Sequence, residues 1–339
     1  MKNTKVLRVA VIGCGFFGEK HADILNELAN AELVAVCDTN ESNAIALGKK
    51  LTCNAYSSIE TMLEKEDIDA VSIAVSENYH LAAAEPVAKA KKHILIEKPI
   101  AKNYEEAQRI VQLTKENDVR LMVAHILHWD GRYKYTEEAI KRGELGDIIS
   151  MYLKRSSTND AAVRFKDSVS IFHYAGVHDF EYMLSFAAPA KPVKVYAQSV
   201  AKKNAPYNST DTVFSTITFD NGVIASIQLC WALPEGGSCN FVVHAEVVGT
   251  KGISYIDLHN QGVAIYRENA PGYYPELTYW PEYYGHVHGK LREEIAHFVD
   301  NTLSGEAYAV DVDRAVLAVR TIDGCFESLK TGMPVEITY

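Results

Sequence analysis

Three glycines near the start of the chain have the spacing of a turn that binds a pyrophosphate. Gly13, Gly15 and Gly18 follow an apolar run and open a helical pattern, with Phe16 and Phe17 between them. In this setting the glycines permit a tight turn and a close approach of the backbone, and the helix N-terminus favours a negatively charged ligand. A glycine-rich turn without a ligand is the alternative, because the hexapeptide alone has little specificity.

An acidic residue favours the ligand-binding interpretation. Asp38 lies 20 residues beyond Gly18, at the end of the second predicted strand. A carboxylate at this point accepts hydrogen bonds from the ribose hydroxyls of a dinucleotide and repels a 2′-phosphate. Since no arginine follows in Asp38-Thr39-Asn40, the sequence predicts a dinucleotide site that favours NAD over NADP.

A lysine follows a later strand of the same pattern. Glu97-Lys98-Pro99 comes directly after the apolar run at residues 93–96, and open α/β sheets bind ligands at the carboxyl ends of their strands. The positive charge of Lys98 suits it to orient a substrate hydroxyl and to lower the pKa of that hydroxyl. A surface lysine at a turn is the other interpretation.

Four histidines of the central chain could gather around a metal ion. His125, His128, His173 and His178 do not have a spacing typical of metal ligands, and the six cysteines include no C-x-x-C pair. We therefore predict no metal centre. The scattered cysteines, Cys239 among them, indicate reduced, mostly structural thiols.

The elements that must position these residues change character near residue 130. Up to that point short β-branched runs alternate with helical patterns, which is typical of a parallel sheet covered on both faces. The predicted strands span residues 6–12, 32–37, 70–75, 93–96 and 120–123. Asn103 and Glu106 have the spacing of a capping pair at the start of a helix.

After residue 130, long segments of alternating polarity indicate an antiparallel sheet. They span residues 193–200, 212–219, 223–230, 241–248 and 262–266. Asp220-Asn221-Gly222 predicts a hairpin because Asn and Gly tolerate the positive φ of a short turn. Helical patterns at 291–303 and 312–329 close the chain.

The predicted fold is thus an α/β Rossmann dinucleotide-binding domain over residues 1–124, followed by an α+β domain over residues 125–339. The second domain has a large, mostly antiparallel sheet, and its C-terminal helix could pack back on the first domain. A chain of 339 residues is long enough for two domains.

Charge and hydropathy exclude several classes of partner. The 339 residues include 34 Lys and Arg against 44 Asp and Glu, a net charge of −10 that repels nucleic-acid phosphates and anionic lipid. No apolar stretch approaches the roughly 18 to 20 residues that span a bilayer. No signal peptide is recognisable near Met1, so we expect a cytoplasmic protein without nucleic-acid or membrane partners.

The motifs together resemble one family nearly end to end. Gly13 to Gly18, Asp38, residues 74–80, Glu97-Lys98-Pro99 and Gly176-Val177-His178-Asp179 are similar to the glucose-fructose oxidoreductase / inositol dehydrogenase / MocA family. The resemblance implies an NAD(P)-dependent oxidoreductase acting on a sugar, polyol, inositol or related compound. It also implies that the second domain supplies half of the active site and the surface of a homodimer or homotetramer.

Residue roles carry over by position. Lys98 matches the family's active-site lysine, and His178 matches its acid/base histidine, for which an imidazole pKa near working pH is suitable. A buried core histidine is the alternative for His178. The remaining implied cofactor contacts are Val75, Ser76, His80 and Glu97, and the implied substrate contacts are His125, His128 and Trp129. His128 stands where an arginine is common, and a neutral donor suits hydroxyls more than carboxylates.

The chain departs from the family at two points. The family usually has an aspartate four residues before the histidine, where this chain has Tyr174. A phenol can exchange hydrogen bonds with substrate but stays neutral, so it cannot stabilise an imidazolium as an anion does. Val75-Ser76 also replaces the family's Thr-Pro at the end of the strand predicted at residues 70–75.

Two functions therefore remain open. The first is an NAD-dependent dehydrogenase in which Lys98 holds the reacting hydroxyl and His178 takes its proton. The second is a non-catalytic dinucleotide-binding regulator or sensor on the same fold, which Tyr174 favours and Lys98 and His178 oppose.

One aromatic segment also has two interpretations. Residues 273–284 contain Tyr273-Tyr274, Tyr279-Trp280 and Tyr283-Tyr284. Aromatic faces stack on sugar rings, but they are also frequent at subunit contacts.

Overall fold

The computed structural model describes residues 5–234, 241–258 and 262–339, so Cys239 lies outside the described residues. The chain divides into two compact units that interleave along the sequence. The first comprises Met1–Trp129 and Thr278–Val316, and the second comprises Asp130–Leu277 and Leu317–Tyr339. The predicted domain boundary after residue 124 stays a prediction, because this division describes packing alone.

A six-stranded parallel sheet forms the centre of the first unit, with strand order β3-β2-β1-β4-β5-β6. Its strands are β1 (Leu7–Ile12), β2 (Ala31–Cys37), β3 (Asn54–Tyr56), β4 (Ala70–Ile73), β5 (His93–Glu97) and β6 (Leu121–Ala124). Strands buried on both faces are expected to be mostly apolar, and all four residues of β4 and β6 are buried, with Ser72 as the polar residue among them. The order reverses between β1 and β4, so ligands are expected at the carboxyl ends of these strands.

Helices connect the parallel strands. They are α1 (Phe16–Glu27), α2 (Glu41–Leu51), α3 (Ile59–Lys65), α4 (His80–Lys89) and α5 (Tyr104–Glu116), with 3-10 turns at Glu77–Tyr79 and Ile126–Trp129. The predicted capping position is confirmed, because the Asn103 side chain accepts a hydrogen bond of 2.9 Å from the Glu106 backbone N–H.

The late segment of the first unit adds a further helix. It contains the short hairpin strands β15 (Glu282–Tyr283) and β16 (His286–Val287), followed by α9 (Lys290–Ser304). Helix α9 packs against α1, β1 and the 3-10 turn at Ile126–Trp129. A stretch distant in sequence therefore covers part of the parallel sheet.

The second unit is built on a seven-stranded mixed sheet with the order β12-β11-β7-β10-β9-β8-β17. Its strands are β7 (Ile148–Thr158), β8 (Pro192–Val200), β9 (Thr212–Phe219), β10 (Ile224–Leu233), β11 (Phe241–Gly249), β12 (Ile253–Leu258) and β17 (Val335–Glu336). Only the pair β7 and β10 runs parallel among the described strands of this sheet. The prediction of a mostly antiparallel sheet is confirmed.

The helices of the second unit cover one face of this sheet. They are α6 (Gly131–Lys141), α7 (Asp160–Phe165), α8 (Val177–Ala187) and α10 (Val312–Thr331), and α10 begins in the first unit. Helix α8 packs on β7 and β10. The Ser328 hydroxyl of α10 accepts a 2.9 Å hydrogen bond from Ala197 N of β8.

The predicted hairpin at residues 220–222 is confirmed. Strands β9 and β10 pair antiparallel on either side of it, and Gly222 has φ +87°. The prediction of residues 262–266 as a strand of the large sheet is wrong. The strand here, β13 (Ile265–Arg267), pairs instead with β14 (Ala270–Tyr273) in a separate two-stranded sheet.

None of the helices in the described chain is both long and apolar enough to cross a lipid bilayer.

Candidate functional site

The three glycines of the turn between β1 and α1 have different surroundings. Gly13 has φ +95°, and a Cβ there would collide with the Ala74 carbonyl oxygen. A Cβ on Gly18 would collide with the Gly13 carbonyl oxygen, so the third glycine allows the helix to approach the turn. Gly15, in contrast, faces open space. A dinucleotide pyrophosphate needs this combination of a tight turn, an open side and a close helix.

The N-terminus of α1 is available to an anion. Gly15 is the residue that precedes the helix, and a glycine provides no side chain to cap the first backbone N–H groups. Uncapped N–H groups and the helix dipole both attract a phosphate. The turn therefore fits the dinucleotide that the sequence predicts.

Asp38 follows β2 and lies beside this turn. Its Oδ2 accepts a 2.7 Å hydrogen bond from Cys14 N, and its Oδ1 accepts a 2.8 Å hydrogen bond from Asn40 N. The two backbone donors fix the orientation of the carboxylate. Each oxygen keeps lone pairs for further donors, as a ribose diol requires.

The thiols near Asp38 have low reactivity. Burial, followed by the negative charge of Asp38, raises the pKa of Cys14 to about 12 and that of Cys37 to about 11. A thiol with so high a pKa is protonated at neutral pH and is a poor nucleophile. These cysteines are structural components of the first unit.

Phe16 and Phe17 contact an aromatic residue from the late segment of the same unit. The Trp280 ring lies 5.2 Å from the Phe17 ring and 6.3 Å from the Phe16 ring, edge to face in both cases. Lys20 of α1 pairs with Glu282 of the β15 strand. Trp280 and Glu282 thus contact side chains of the first turns of α1, a role that the sequence pattern does not reveal.

His80 connects two loops at the carboxyl edge of the sheet. Its Nε2 lies 3.1 Å from the Val75 carbonyl oxygen, and its Nδ1 lies 3.2 Å from the Ile100 carbonyl oxygen. Burial lowers the pKa of His80. The ring holds the loop after β4 against the loop after β5, while the Ser76 hydroxyl caps the 3-10 turn that follows β4. Cofactor contact by His80 stays a prediction.

Glu97 is the centre of a buried hydrogen-bond chain. Its Oε1 lies 3.2 Å from His21 Nε2, and His21 Nδ1 lies 2.8 Å from the Ser72 hydroxyl. Its Oε2 accepts a 3.1 Å hydrogen bond from the Lys98 backbone N–H. Burial alone would raise the pKa of Glu97, but the His21 hydrogen bond and the Lys98 charge bring that pKa below its ordinary value. Glu97 is therefore ionised at neutral pH, next to the residue proposed as the active-site lysine.

The predicted substrate residues after β6 lie on a 3-10 turn. His125 and His128 are buried, and Trp129 packs against His297 of α9 at 5.4 Å between ring centres. Burial lowers the pKa of His297. This turn therefore forms a packed layer with α9.

Tyr174 and His178 lie at the start of α8 in the second unit. Tyr174 is part of a π-helical turn at Phe172–Gly176, and His178 is the second residue of α8. Residues four apart on successive helical turns lie on the same side. A Cβ on Gly176 would collide with Leu229 of β10, so this glycine lets the turn lie against the sheet. π-helical turns are frequent at functional sites.

The tyrosine and its neighbours form a cationic, aromatic environment. The Tyr174 hydroxyl lies 3.5 Å from an Arg164 guanidinium nitrogen, and its ring packs against Phe165 and Trp231. Both Tyr174 and His178 are only partly exposed. His173, in contrast, is buried against Phe326, so it belongs to the core.

Asp179 connects the first turn of α8 to the neighbouring sheet. It is fully buried and pairs with Arg155 of β7 through two hydrogen bonds, of 2.6 Å and 3.0 Å. A two-point arginine pair fixes both distance and orientation. The sequence identified Asp179 only as part of a motif and did not identify Arg155.

No group of three or more His, Cys, Asp or Glu side chains in the described residues is arranged to hold a metal ion.

Comparison with known proteins agrees with this architecture. Residues 7–125 match the model of an oxidoreductase family with an NAD-binding Rossmann fold, and residues 137–337 match the C-terminal alpha/beta domain of the same family. The chain therefore belongs to the glucose-fructose oxidoreductase / inositol dehydrogenase / MocA family of oxidoreductases, as the sequence motifs predict.

Individual relatives differ in their named activities. The chain is 27% identical over 322 residues to the myo-inositol 2-dehydrogenase of Thermotoga maritima, covering 92% of this chain and 93% of that protein. It is 28% identical over 261 residues to the 2,7-anhydro-N-acetylneuraminate hydratase of Escherichia coli, covering 75% and 68%. The structure of GenD2 from gentamicin A biosynthesis, in complex with NAD, is similar in fold, with a TM-score of 0.86, 22% identity and coverage of 99% and 97%.

Proposed function

We propose that this protein is an NAD-dependent oxidoreductase that moves a hydride between the cofactor and a secondary alcohol or ketone of a sugar, polyol, inositol or related compound. The observation that carries the proposal is the placement of Lys98 directly after β5, at the sheet edge where the glycine turn and Asp38 also lie. NAD, when bound, supplies the hydride acceptor.

Lys98 is suited to hold the reacting hydroxyl. Its backbone N–H is fixed by the ionised Glu97, and its side chain is partly exposed at the carboxyl end of β5. An ammonium group next to a hydroxyl favours the alkoxide form and lowers the pKa of that hydroxyl. Lys98 would therefore ease removal of the proton that must leave as the carbonyl forms.

His178 is suited to accept that proton. It is partly exposed at the first turn of α8, and Asp179 and Arg155 immobilise the same turn from the buried side. An imidazole can act as a base in oxidation and as an acid in reduction. The anion that the family places beside this histidine is replaced by the neutral Tyr174.

A panel assay tests the proposal. The purified protein is incubated with NAD and a set of inositols, polyols and sugars, and NADH formation is followed by absorbance. Because one relative is named a hydratase, consumption of each compound is also followed by chromatography. Reduction of NAD by at least one compound is the expected result, and conversion without net reduction would contradict the proposed reaction.

The non-catalytic regulator is the second candidate, and Tyr174 is the observation that favours it. Loss of the carboxylate removes the group that would stabilise an imidazolium. If no compound of the panel is converted while NAD still binds, this candidate replaces the dehydrogenase.

Cofactor preference is the first specific prediction. NAD is expected to bind at least about tenfold more tightly than NADP, because the Asp38 carboxylate accepts ribose hydroxyls and repels a 2′-phosphate. Calorimetric titration with both cofactors measures the ratio. Asp38→Ser should bring the two affinities close together, whereas Glu41→Gln, which removes an exposed acid three residues later, should leave the ratio unchanged. Equal affinities in the wild type would contradict the role of Asp38.

We also propose that the chain self-associates through the face of the seven-stranded sheet opposite to its helices. Alternate residues on this face include large apolar side chains, with Phe214 48%, Ile224 51% and Tyr255 60% exposed. The Tyr152 hydroxyl donates to Gln228 at 2.7 Å, and the His244 ring lies between Tyr152 and Tyr255. Large exposed apolar side chains on one face are typical of an interface between copies.

A dimer or tetramer is therefore expected in solution. Phe214→Glu should shift the mass towards the monomer, because it places a charge in the apolar surface. Light scattering coupled to gel filtration measures the mass, and Tyr266→Glu, at an exposed tyrosine outside the large sheet, is the control. A monomeric wild type would refute the assembly.

The free thiols among the described cysteines are in keeping with a reducing compartment, and we propose the cytoplasm as the location.

A further inference from the structure

A second buried carboxyl lies near Lys98 and is not explained by the proposed reaction. Glu294 is in the second turn of α9 and is 1% exposed. Its Oε1 is buried and makes no hydrogen bond within the described chain. An ionised carboxylate in such a place would be very costly, because no donor replaces the water that it loses.

Glu294 and Glu97 differ in their surroundings. Glu97 has hydrogen bonds from His21 and from the Lys98 backbone, and these favour its ionised form. Burial, followed by the negative charge of Glu97, raises the pKa of Glu294 well above its ordinary value, and the positive charge of Lys98 opposes this only in part. Because two neighbouring carboxylates repel each other in a buried region, one carboxyl is charged and the other keeps its proton.

The other charged groups near α9 are already engaged. Helix α9 packs against α1, β1 and the 3-10 turn at Ile126–Trp129, and the charges of Glu97 and Lys98 at the end of β5 also act on Glu294. Their titratable or charged side chains are Arg8, Glu19, Lys20, His21, Asp23, Glu27, His128, Glu97 and Lys98. Arg8 pairs with Glu32, Glu19 and Asp23 with Lys50, Lys20 with Glu282, and Glu27 with His286 and Arg292. Within the described chain, Glu97 and Lys98 are the groups whose charges act on Glu294.

We infer that Glu294 is a positioning residue for Lys98, an inference that rests on the proposed function. In its uncharged form Glu294 does not compete for the Lys98 ammonium, which stays directed to the substrate hydroxyl. When Glu294 loses its proton, the new carboxylate attracts the ammonium and withdraws it from the substrate. The active form of the enzyme thus requires a protonated Glu294, and activity declines as this proton is lost with rising pH.

The pH profile of kcat/KM tests the inference. Glu294→Gln keeps the shape and the neutral charge but has no proton to lose, so it should remain active at pH values where the wild type declines. Its alkaline limb should lie higher by about one pH unit or more, because the titrating carboxyl is gone. Glu293→Gln, which removes the exposed acid next in sequence, should reproduce the wild-type profile. An unmoved alkaline limb in Glu294→Gln overturns the inference, and so does a loss of activity above about 30-fold at pH 7.

Thermal unfolding provides a readout that needs no activity. A carboxyl whose pKa is raised in the folded protein contributes full stability below its unfolded pKa and loses it as pH rises towards the folded pKa. The Tm of Glu294→Gln relative to wild type should therefore increase between pH 5 and pH 8, while that of Glu293→Gln should stay constant. A constant difference for Glu294→Gln would show that Glu294 titrates normally and would overturn the inference.

The two proposals fail in different ways. If Lys98→Ala keeps normal turnover, the proposed function of Lys98 fails, and the melting series still decides the charge state of Glu294. If Lys98→Ala loses turnover but the Glu294→Gln profile matches wild type, only the positioning role fails.

Discussion

Replacing Lys98 with alanine should lower kcat by about 100-fold or more, because the substrate hydroxyl loses the positive charge that eases its deprotonation. Affinity for NAD should change little, since the glycine turn and Asp38 are left intact. Steady-state rates with an active compound of the panel, together with calorimetric titration of NAD, measure the two effects.

A nearby lysine provides the control for this variant. Lys102 is partly exposed and pairs with Glu106 one helical turn away, so Lys102→Ala removes the same charge without touching the end of β5. Its turnover should match wild type. If Lys98→Ala retains near-normal turnover, the chemistry lies elsewhere and the regulator becomes the better description of this chain.

Replacing His178 with alanine is expected to have an effect of similar size, about 100-fold or more on kcat, because general acid/base steps contribute roughly 10² to 10⁴. The acid limb of the pH profile should disappear with the imidazole, since oxidation requires its neutral form. Rates measured from pH 5 to pH 10 check both expectations. An acid limb that persists in His178→Ala would assign the titrating base to another residue.

Variants of Tyr174 test the surroundings of the same base. Tyr174→Phe removes one hydrogen-bonding group and should cost about 5-fold to 150-fold in kcat/KM, with the pH optimum largely kept. Tyr174→Asp restores an anion one turn before His178, which favours the imidazolium and should raise the lower apparent pKa of the profile. If neither variant differs from wild type, Tyr174 is outside the active site.

Local signals in the sequence were sufficient for the nucleotide-binding half. The glycine turn and the Asn103 cap each depend on residues close together in the chain, so their types and spacing determine the local geometry. Asp38 reaches the turn because its strand β2 pairs directly with β1. The hairpin at residues 220–222 was predictable for the same reason. The strand β3, of three residues, was too short to give a pattern.

Long-range partners could not be predicted in this way. His21 and Glu97 are separated by 76 residues, and Lys20 and Glu282 by 262 residues, so no spacing rule connects them. Strand β7 was not predicted because Arg155 interrupts the apolar alternation of its buried side. That arginine is tolerated in the interior only because Asp179 neutralises it, and Asp179 lies on a different element.

The return of residues 278–316 to the first unit has a consequence for how the chain is made. Helix α9 buries Leu291, Ile295 and Phe298 and covers part of a sheet whose strands all precede residue 125. During synthesis on a ribosome, those strands emerge long before their cover. The apolar face of the nascent N-terminal region therefore stays incompletely covered until most of the protein has been translated. During this period the exposed face can bind chaperones or aggregate.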